Sequence, residues 1–118
     1  MPSSEAHELF AESFVQRLSS HPDVMRLRNS YREDVLEKLK SFIVERRVSS
    51  HEQLHALKLR RTLAGMSAKL EEKKEQLVSM EKIGHISPDV WALREEIYND
   101  LQPKFDALKI LHDWIYSH

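Results

Sequence analysis

Residues 51–55 form the arrangement in this chain whose residue types and spacing could activate a water molecule. The run reads HEQLH and places His51 and His55 four residues apart, with the carboxylate of Glu52 beside the first imidazole. Residues four apart share one face of a helix, so the two imidazoles could bind Zn²⁺ while the carboxylate acts as the general base for hydrolysis. Glu75 follows twenty residues after the second histidine and is the candidate for a third zinc ligand.

At this motif alone the chain resembles the gluzincin metalloproteases, and the surrounding residues argue against a catalytic zinc. Glu52 stands three residues after Ser49, the spacing of a capping box at a helix N-terminus. On one continuous helix Glu75 would lie about 30 Å from His55, because an α-helix rises roughly 1.5 Å per residue. We therefore interpret His51 and His55 as an exposed pair, expect neither cofactor nor catalytic residue, and keep adventitious metal binding and a zinc hydrolase as the last alternatives.

A cluster of cations around this motif is a second candidate site, in this case for nucleic acid. Such residues could contact phosphates if they shared one face. The formal net charge of −1, from 18 basic and 19 acidic side chains, does not favour tight binding to a polyanion. We therefore interpret the cations as solvated helix flanks and keep a nucleic-acid-binding regulator as the alternative function. The five cations are Arg46, Arg47, Lys58, Arg60 and Arg61.

The composition excludes several other classes of function. The 118 residues suit one domain with a modest core. The absence of cysteine removes disulfide frameworks, thiolate metal sites and cysteine nucleophiles. The chain has two glycines, fewer than phosphate-cradling loops and turn-rich β folds need. There is no signal peptide and no apolar run of about 18 residues, so we expect a cytoplasmic protein with no membrane partner.

A long helix over residues 50–83 is predicted to organise the rest of an all-α chain. Ser49 and Glu52 supply a start signal, and Gly84 supplies a stop because glycine accepts the left-handed C′ conformation. Such a helix is roughly 50 Å long, more than a small core needs. Apolar residues recur at alternating spacings of three and four, as in the a/d seam of a coiled coil. The seam consists of Ala56, Leu59, Leu63, Met66, Leu70, Lys73, Leu77 and Met80.

Three further helices are predicted, over residues 4–18, 22–46 and 88–116. A second capping signal predicts a break or bend near Asn29, and Pro103 predicts a kink or a junction of two helices. Short connections make neighbouring helices antiparallel, which predicts a bundle of three or four helices with a long, partly coiled-coil-like central helix. The predicted core contains Phe14, Leu18, Tyr31, Val35, Leu39, Leu63, Leu70, Ile97, Leu101 and Leu108.

The second half of the long helix is the candidate partner-binding surface. Beyond Leu70 its apolar stripe narrows and is flanked by charges, as in a seam between two molecules. The last predicted helix, which starts after Gly84 and must run back along this half, could cover the stripe instead. We predict a homo-oligomer, most simply a two-fold pair, or a complex with another helical protein. The predicted contact residues are Leu70, Lys73, Leu77, Met80 and Ile83.

One stretch of the chain is similar to small helical proteins of tailed bacteriophages that are encoded among virion and assembly genes. The similarity lies in the run VSSHEQL at residues 48–54 and in the following Leu57, Leu63, Gly65 and Leu70. It covers about a quarter of the chain and implies a non-enzymatic role in the virion or its morphogenesis. Together with the seam, it makes a helical interaction or assembly protein the leading interpretation.

Overall fold

The computed structural model describes residues 2–84 and 87–117, and all regular structure in these residues is helical. The all-α class is therefore confirmed. The chain is elongated, with extents of 50 × 29 × 26 Å. The elements in chain order are α1 (Pro2–Leu18), α2 (Pro22–Met25), α3 (Asn29–Glu45), α4 (His51–His55), α5 (Leu59–Lys82), α6 (Pro88–Glu96), a π-helical segment (Ile97–Leu101) and α7 (Gln102–Ser117).

The prediction of one continuous helix over residues 50–83 is wrong at its N-terminal end. α4 ends after five residues, and Lys58 adopts φ −89° and ψ 66° before α5 begins. Leu54 and Leu59, on either side of the break, are both buried. In a continuous helix two residues five apart point about 140° away from each other, so one of them would face solvent. The break lets both side chains enter the same core. The free energy gained by burying both outweighs the helix propensity of the intervening residues.

The capping signal before α4 lies one residue later than predicted. Ser50, rather than Ser49, is the N-cap, and its hydroxyl accepts a hydrogen bond from the backbone N–H of Gln53 at 3.2 Å. The side chain of Gln53 in turn accepts from the backbone N–H of Ser49 at 2.7 Å. Glutamine therefore takes the reciprocal role that was predicted for Glu52, whose side chain is exposed. At the other end Gly84 has φ +70°, which confirms the predicted left-handed stop.

The predicted break within residues 22–46 is confirmed and is held by an arginine. The guanidinium of Arg32 donates to the carbonyl oxygens of Val24, Met25 and Leu27 at 2.9–3.1 Å. These carbonyls lie at the C-terminal end of α2 and in the turn that follows it, where a helix leaves acceptors available to side-chain donors. Arg32 therefore joins the end of α2 to the first turn of α3.

The predicted irregularity at Pro103 is a π-helical segment immediately before it. Proline has no N–H, and its ring clashes with the carbonyl four residues earlier in a regular α-helix. The backbone N–H of Gln102 instead donates to Ile97, five residues back, and this wider turn precedes the proline. The change of pitch keeps Ile97, Leu101 and Pro103 all buried.

The buried residues form two separate clusters. α7 packs against both α3 and α5, and α1 packs on α3, so the larger cluster lies among these helices and α4. The smaller cluster lies between the second half of α5 and the α6–π segment, and consists of Leu70, Leu77, Val90, Leu93, Ile97 and Leu101. We call residues 70–84 and 87–101 the distal hairpin. Of the predicted core, Tyr31 and Leu63 are only partly buried, and the other eight residues are buried.

Candidate interaction surface

The two histidines of the HEQLH run lie in an aromatic cluster. The ring centroid of His51 is 5.4 Å from Phe10, 6.1 Å from Phe14 and 5.8 Å from Trp114. The ring of His55 lies 6.5 Å from the same tryptophan. The five-residue helix α4 is thereby attached to α1 and α7 by ring packing.

The environment of His51 is unfavourable for a metal ion. Arg17 Nη1 lies 3.2 Å from His51 Nε2. A guanidinium only donates hydrogen bonds, so this ring nitrogen must accept with its lone pair, the same lone pair that a metal would need. A divalent cation bound there would also lie beside a permanent positive charge. Within residues 2–84 and 87–117 no group of three or more acidic or histidine side chains is arranged to hold a metal.

The candidate nucleic-acid residues lie in different local environments. The guanidinium of Arg46 lies 5.1 Å from the centre of the Phe42 ring, and that of Arg60 lies 4.9 Å from the centre of Tyr116. Arg60 and Arg61 are consecutive on α5 and so point about 100° apart. Arg47 and Lys58 are exposed in the turns that flank α4. The nucleic-acid alternative stays a prediction, which a salt-dependent shift of duplex DNA or RNA would test.

Most residues of the predicted partner seam make their contacts within the chain itself. Leu70 and Leu77 are buried in the distal hairpin, and Met80 packs against the same cluster. Lys73, the polar member of the seam, reaches Glu96 of α6 with an Nζ to Oε1 distance of 3.0 Å. Only Ile83, at the tip of the hairpin, is fully available to a partner. The stripe beyond Leu70 is therefore covered by the last predicted helix, as the alternative interpretation had it.

A row of hydrogen bonds fixes the three central helices relative to one another. Tyr31 on α3 donates to Asp106 on α7, whose other carboxylate oxygen accepts from Gln102 at 3.2 Å. Gln102 in turn accepts from Lys74 Nζ on α5 at 2.8 Å. Burial raises the pKa of Tyr31, and the hydrogen bond to the carboxylate raises it further. The hydroxyl therefore stays protonated and continues to donate.

Tyr31→Phe is expected to lower the free energy of unfolding by about 1.5 kcal/mol at neutral pH, the range for a hydrogen bond to a charged acceptor. Because the pKa of Tyr31 is raised on folding, this contribution is complete below about pH 10 and is lost as the pH rises further. Urea unfolding at pH 7 and above pH 10 measures both effects. Tyr116→Phe, at an exposed tyrosine, should change stability by less than about 0.5 kcal/mol. An equal loss in the two variants would contradict the assigned role.

The distal hairpin exposes aromatic side chains on the side away from its buried seam. Trp91 is 62% exposed and Tyr98 is 48% exposed. They lie seven residues apart and line one shallow, open depression of about 440 Å³ together with Arg94, Glu95 and Asn99. We call this surface, with its neighbours on α5 described next, the outer face.

Charged residues of α5 border these aromatic rings. Lys74 Nζ lies 6.0 Å from the centre of the Tyr98 ring, and Glu81 forms an ion pair with Arg94. The guanidinium of Arg94 also lies 5.2 Å from the centre of the Trp91 ring. Val78, between the two charged residues on the same side of α5, is 50% exposed. The outer face therefore combines apolar side chains with charges of both signs, which is typical of protein interfaces.

Comparisons with known proteins give no information about function. No family model, curated protein or solved structure matches the chain. Among the described helices none is both long and apolar enough to cross a membrane. The similarity of residues 48–54 to phage proteins stays a prediction.

The residues of the outer face were missed by sequence reasoning. The predicted contact set follows the a/d seam, whereas Trp91 and Tyr98 lie off the apolar stripe of their helix. A signal was present, because residues seven apart share a helix face and this face is not the one that carries Val90, Leu93 and Ile97. Two exposed aromatic residues on the polar side of an amphipathic helix are the sequence signal that makes this face a candidate contact surface.

Proposed function

We propose that this chain is a non-enzymatic helical interaction and assembly protein that pairs with a second copy of itself through the outer face. The observation that carries the proposal is the exposure of Trp91 and Tyr98 on a hairpin with only one buried seam. Tryptophan and tyrosine are among the residues that contribute most to binding when a partner buries them. A role in a virion or its assembly, as the phage similarity implies, is one setting for such a protein.

The architecture of the hairpin favours a helical partner. Two antiparallel helices bury one stripe each against the other and leave their remaining sides in water. Two such hairpins, packed side by side, make a four-helix bundle in which each helix has a second buried side. In such a bundle Val78, Trp91 and Tyr98 of the outer face would form this second contact.

The charges of the outer face favour a second copy over a different partner. The face carries two cations, Lys74 and Arg94, and two anions, Glu81 and Glu95. A two-fold contact places a surface against itself, so its charges must complement one another. Equal numbers of both signs meet this condition, whereas a strongly charged partner would favour a face with net charge of the opposite sign.

The test is the double variant Trp91→Glu with Tyr98→Glu, compared with wild type by light scattering and sedimentation over a range of concentrations. We expect a wild-type dimer and a monomeric variant of unchanged helical content, with a dimer Kd at least about 100-fold higher than that of wild type. The matched control is Leu9→Glu with Met25→Glu, because these residues are 62% and 60% exposed but lie on α1 and α2. The control should remain a dimer.

Two results would contradict the proposal. A wild type that is monomeric at every concentration removes the second copy as the partner. The second is a control variant that dissociates as readily as the outer-face variant. That result would mean that the contact lies elsewhere or that added charge has a general effect.

A further inference from the structure

A cleft between α3, α5 and α7 lies apart from the outer face. Its volume is about 160 Å³. A cavity of roughly 150 Å³ lined by aliphatic and aromatic side chains is large enough to hold benzene. The space therefore suits a single aromatic ring and is too small for a peptide segment or a nucleotide.

Both apolar and charged side chains line the cleft. Phe42, Met66 and Leu108 supply apolar surface, one from each of the three helices. Three cations, Lys38, Arg46 and Lys104, also line the cleft, against one lining carboxylate, Glu45. A cleft that combines apolar surface with an excess of cations is complementary to an apolar anion.

The two lysines are held in place by a shared partner. Their ammonium groups lie 3.1 Å and 3.2 Å from the same oxygen of Asp100, so they are close to each other. Burial opposes ionisation of this carboxyl, but the hydrogen bonds from Lys38 and Lys104 prevail and hold its pKa below the usual range. Each ammonium has three N–H donors, so both retain donors for another anion.

The guanidinium of Arg46 lies over an aromatic ring of the cleft. Its guanidinium lies 5.1 Å from the centre of the Phe42 ring, which forms part of the cleft wall. A ligand ring that packs on the same wall would bring its substituent close to this cation. Ionised donors bind carboxylates by charge-assisted hydrogen bonds, which are roughly twice as strong as those between neutral groups.

We propose that this cleft binds a small aromatic carboxylate of about the size of benzoate, with its ring against Phe42, Met66 and Leu108 and its carboxylate at Lys104 and Arg46. The proposal is independent of self-association, since the cleft lies in the larger cluster of helices and not on the outer face.

The test is titration of the ¹⁵N-labelled full chain with sodium benzoate, followed by NMR at pH 7 and low salt. We expect saturable shifts of the backbone amides around residues 42, 66 and 108. Three matched probes separate the contributions: benzamide keeps the ring without the charge, whereas acetate and inorganic phosphate keep the charge without the ring. Each should bind at least tenfold more weakly than benzoate.

Lys104→Gln should weaken benzoate binding at least tenfold. Its side chain is 49% exposed, so the variant should keep the fold. Lys40→Gln is the matched control, because Lys40 lies on α3 but pairs with Glu12 outside the cleft. Its affinity for benzoate should equal that of wild type.

The proposal is overturned by any of three results. These are the absence of saturable shifts at 20 mM benzoate, equal binding of benzamide, acetate or phosphate, and equal affinity in the Lys104→Gln variant and wild type. The readout does not depend on the oligomeric state, so failure here leaves the proposed function intact.

Discussion

Leu77→Glu is expected to destabilise the folded chain by about 3 to 5 kcal/mol. Leu77 is 4% exposed and packs in the distal hairpin with Leu70, Leu93 and Ile97. The substitution removes a buried aliphatic side chain and places a carboxylate there without a partner. We expect a lower urea midpoint and early loss of amide-exchange protection in residues 70–101. Adding Met80→Glu should increase the loss, since Met80 borders the same cluster.

The next residue on α5 provides the control for this prediction. Val78 is 50% exposed on the outer face, so Val78→Glu introduces the same charge without burying it. Its effect on the stability of the monomer should be less than about 0.5 kcal/mol, while self-association should weaken. If Leu77→Glu instead gave a stable, helical and smaller particle, the seam would lie between molecules and our assignment of it to α6 would be wrong.

Phe14→Ala is the second substitution with a large expected effect, again a loss of about 3 to 5 kcal/mol in the free energy of unfolding. The Phe14 ring is 2% exposed. It meets Trp114 edge-to-face with a centroid distance of 4.9 Å and stacks on Phe10 at 5.9 Å. Removing it leaves a cavity at the point where α1, α4 and α7 meet. Urea unfolding followed by circular dichroism measures the change.

The histidines of the same cluster supply a comparison. His51 and His55 are exposed at the margin of the cluster, so His51→Ala with His55→Ala should cost less stability than Phe14→Ala. Metal analysis of the same purified proteins tests the zinc alternative. Tight zinc retention that is lost in the double histidine variant together with an activity would overturn our interpretation of the HEQLH run.

Local chemistry was sufficient to predict several of the places where the helices end or become irregular. Gly84 ends α5 because its φ of +70° suits glycine, and Pro103 disrupts a regular helix because it lacks an N–H. The apolar periodicity likewise identified residues that are buried, including Leu70, Ile97 and Leu101. These features depend on the conformational preferences of a few neighbouring residues, which the amino-acid sequence displays directly.

Tertiary packing decided what covers each buried face. Periodicity predicts that Leu77 is buried, but α6 and a second molecule would produce the same pattern in the sequence. The break between α4 and α5 exists because Leu54 and Leu59 enter one core. Arg32 acquires its role because two carbonyls of α2 and one in the turn that follows it lie within its reach. The outer face also depends on tertiary packing, because Trp91 and Tyr98 lie beside the charged residues of α5 only when α6 is packed on α5. Each of these outcomes depends on contacts between residues distant in the chain, whose free energies outweigh local propensity.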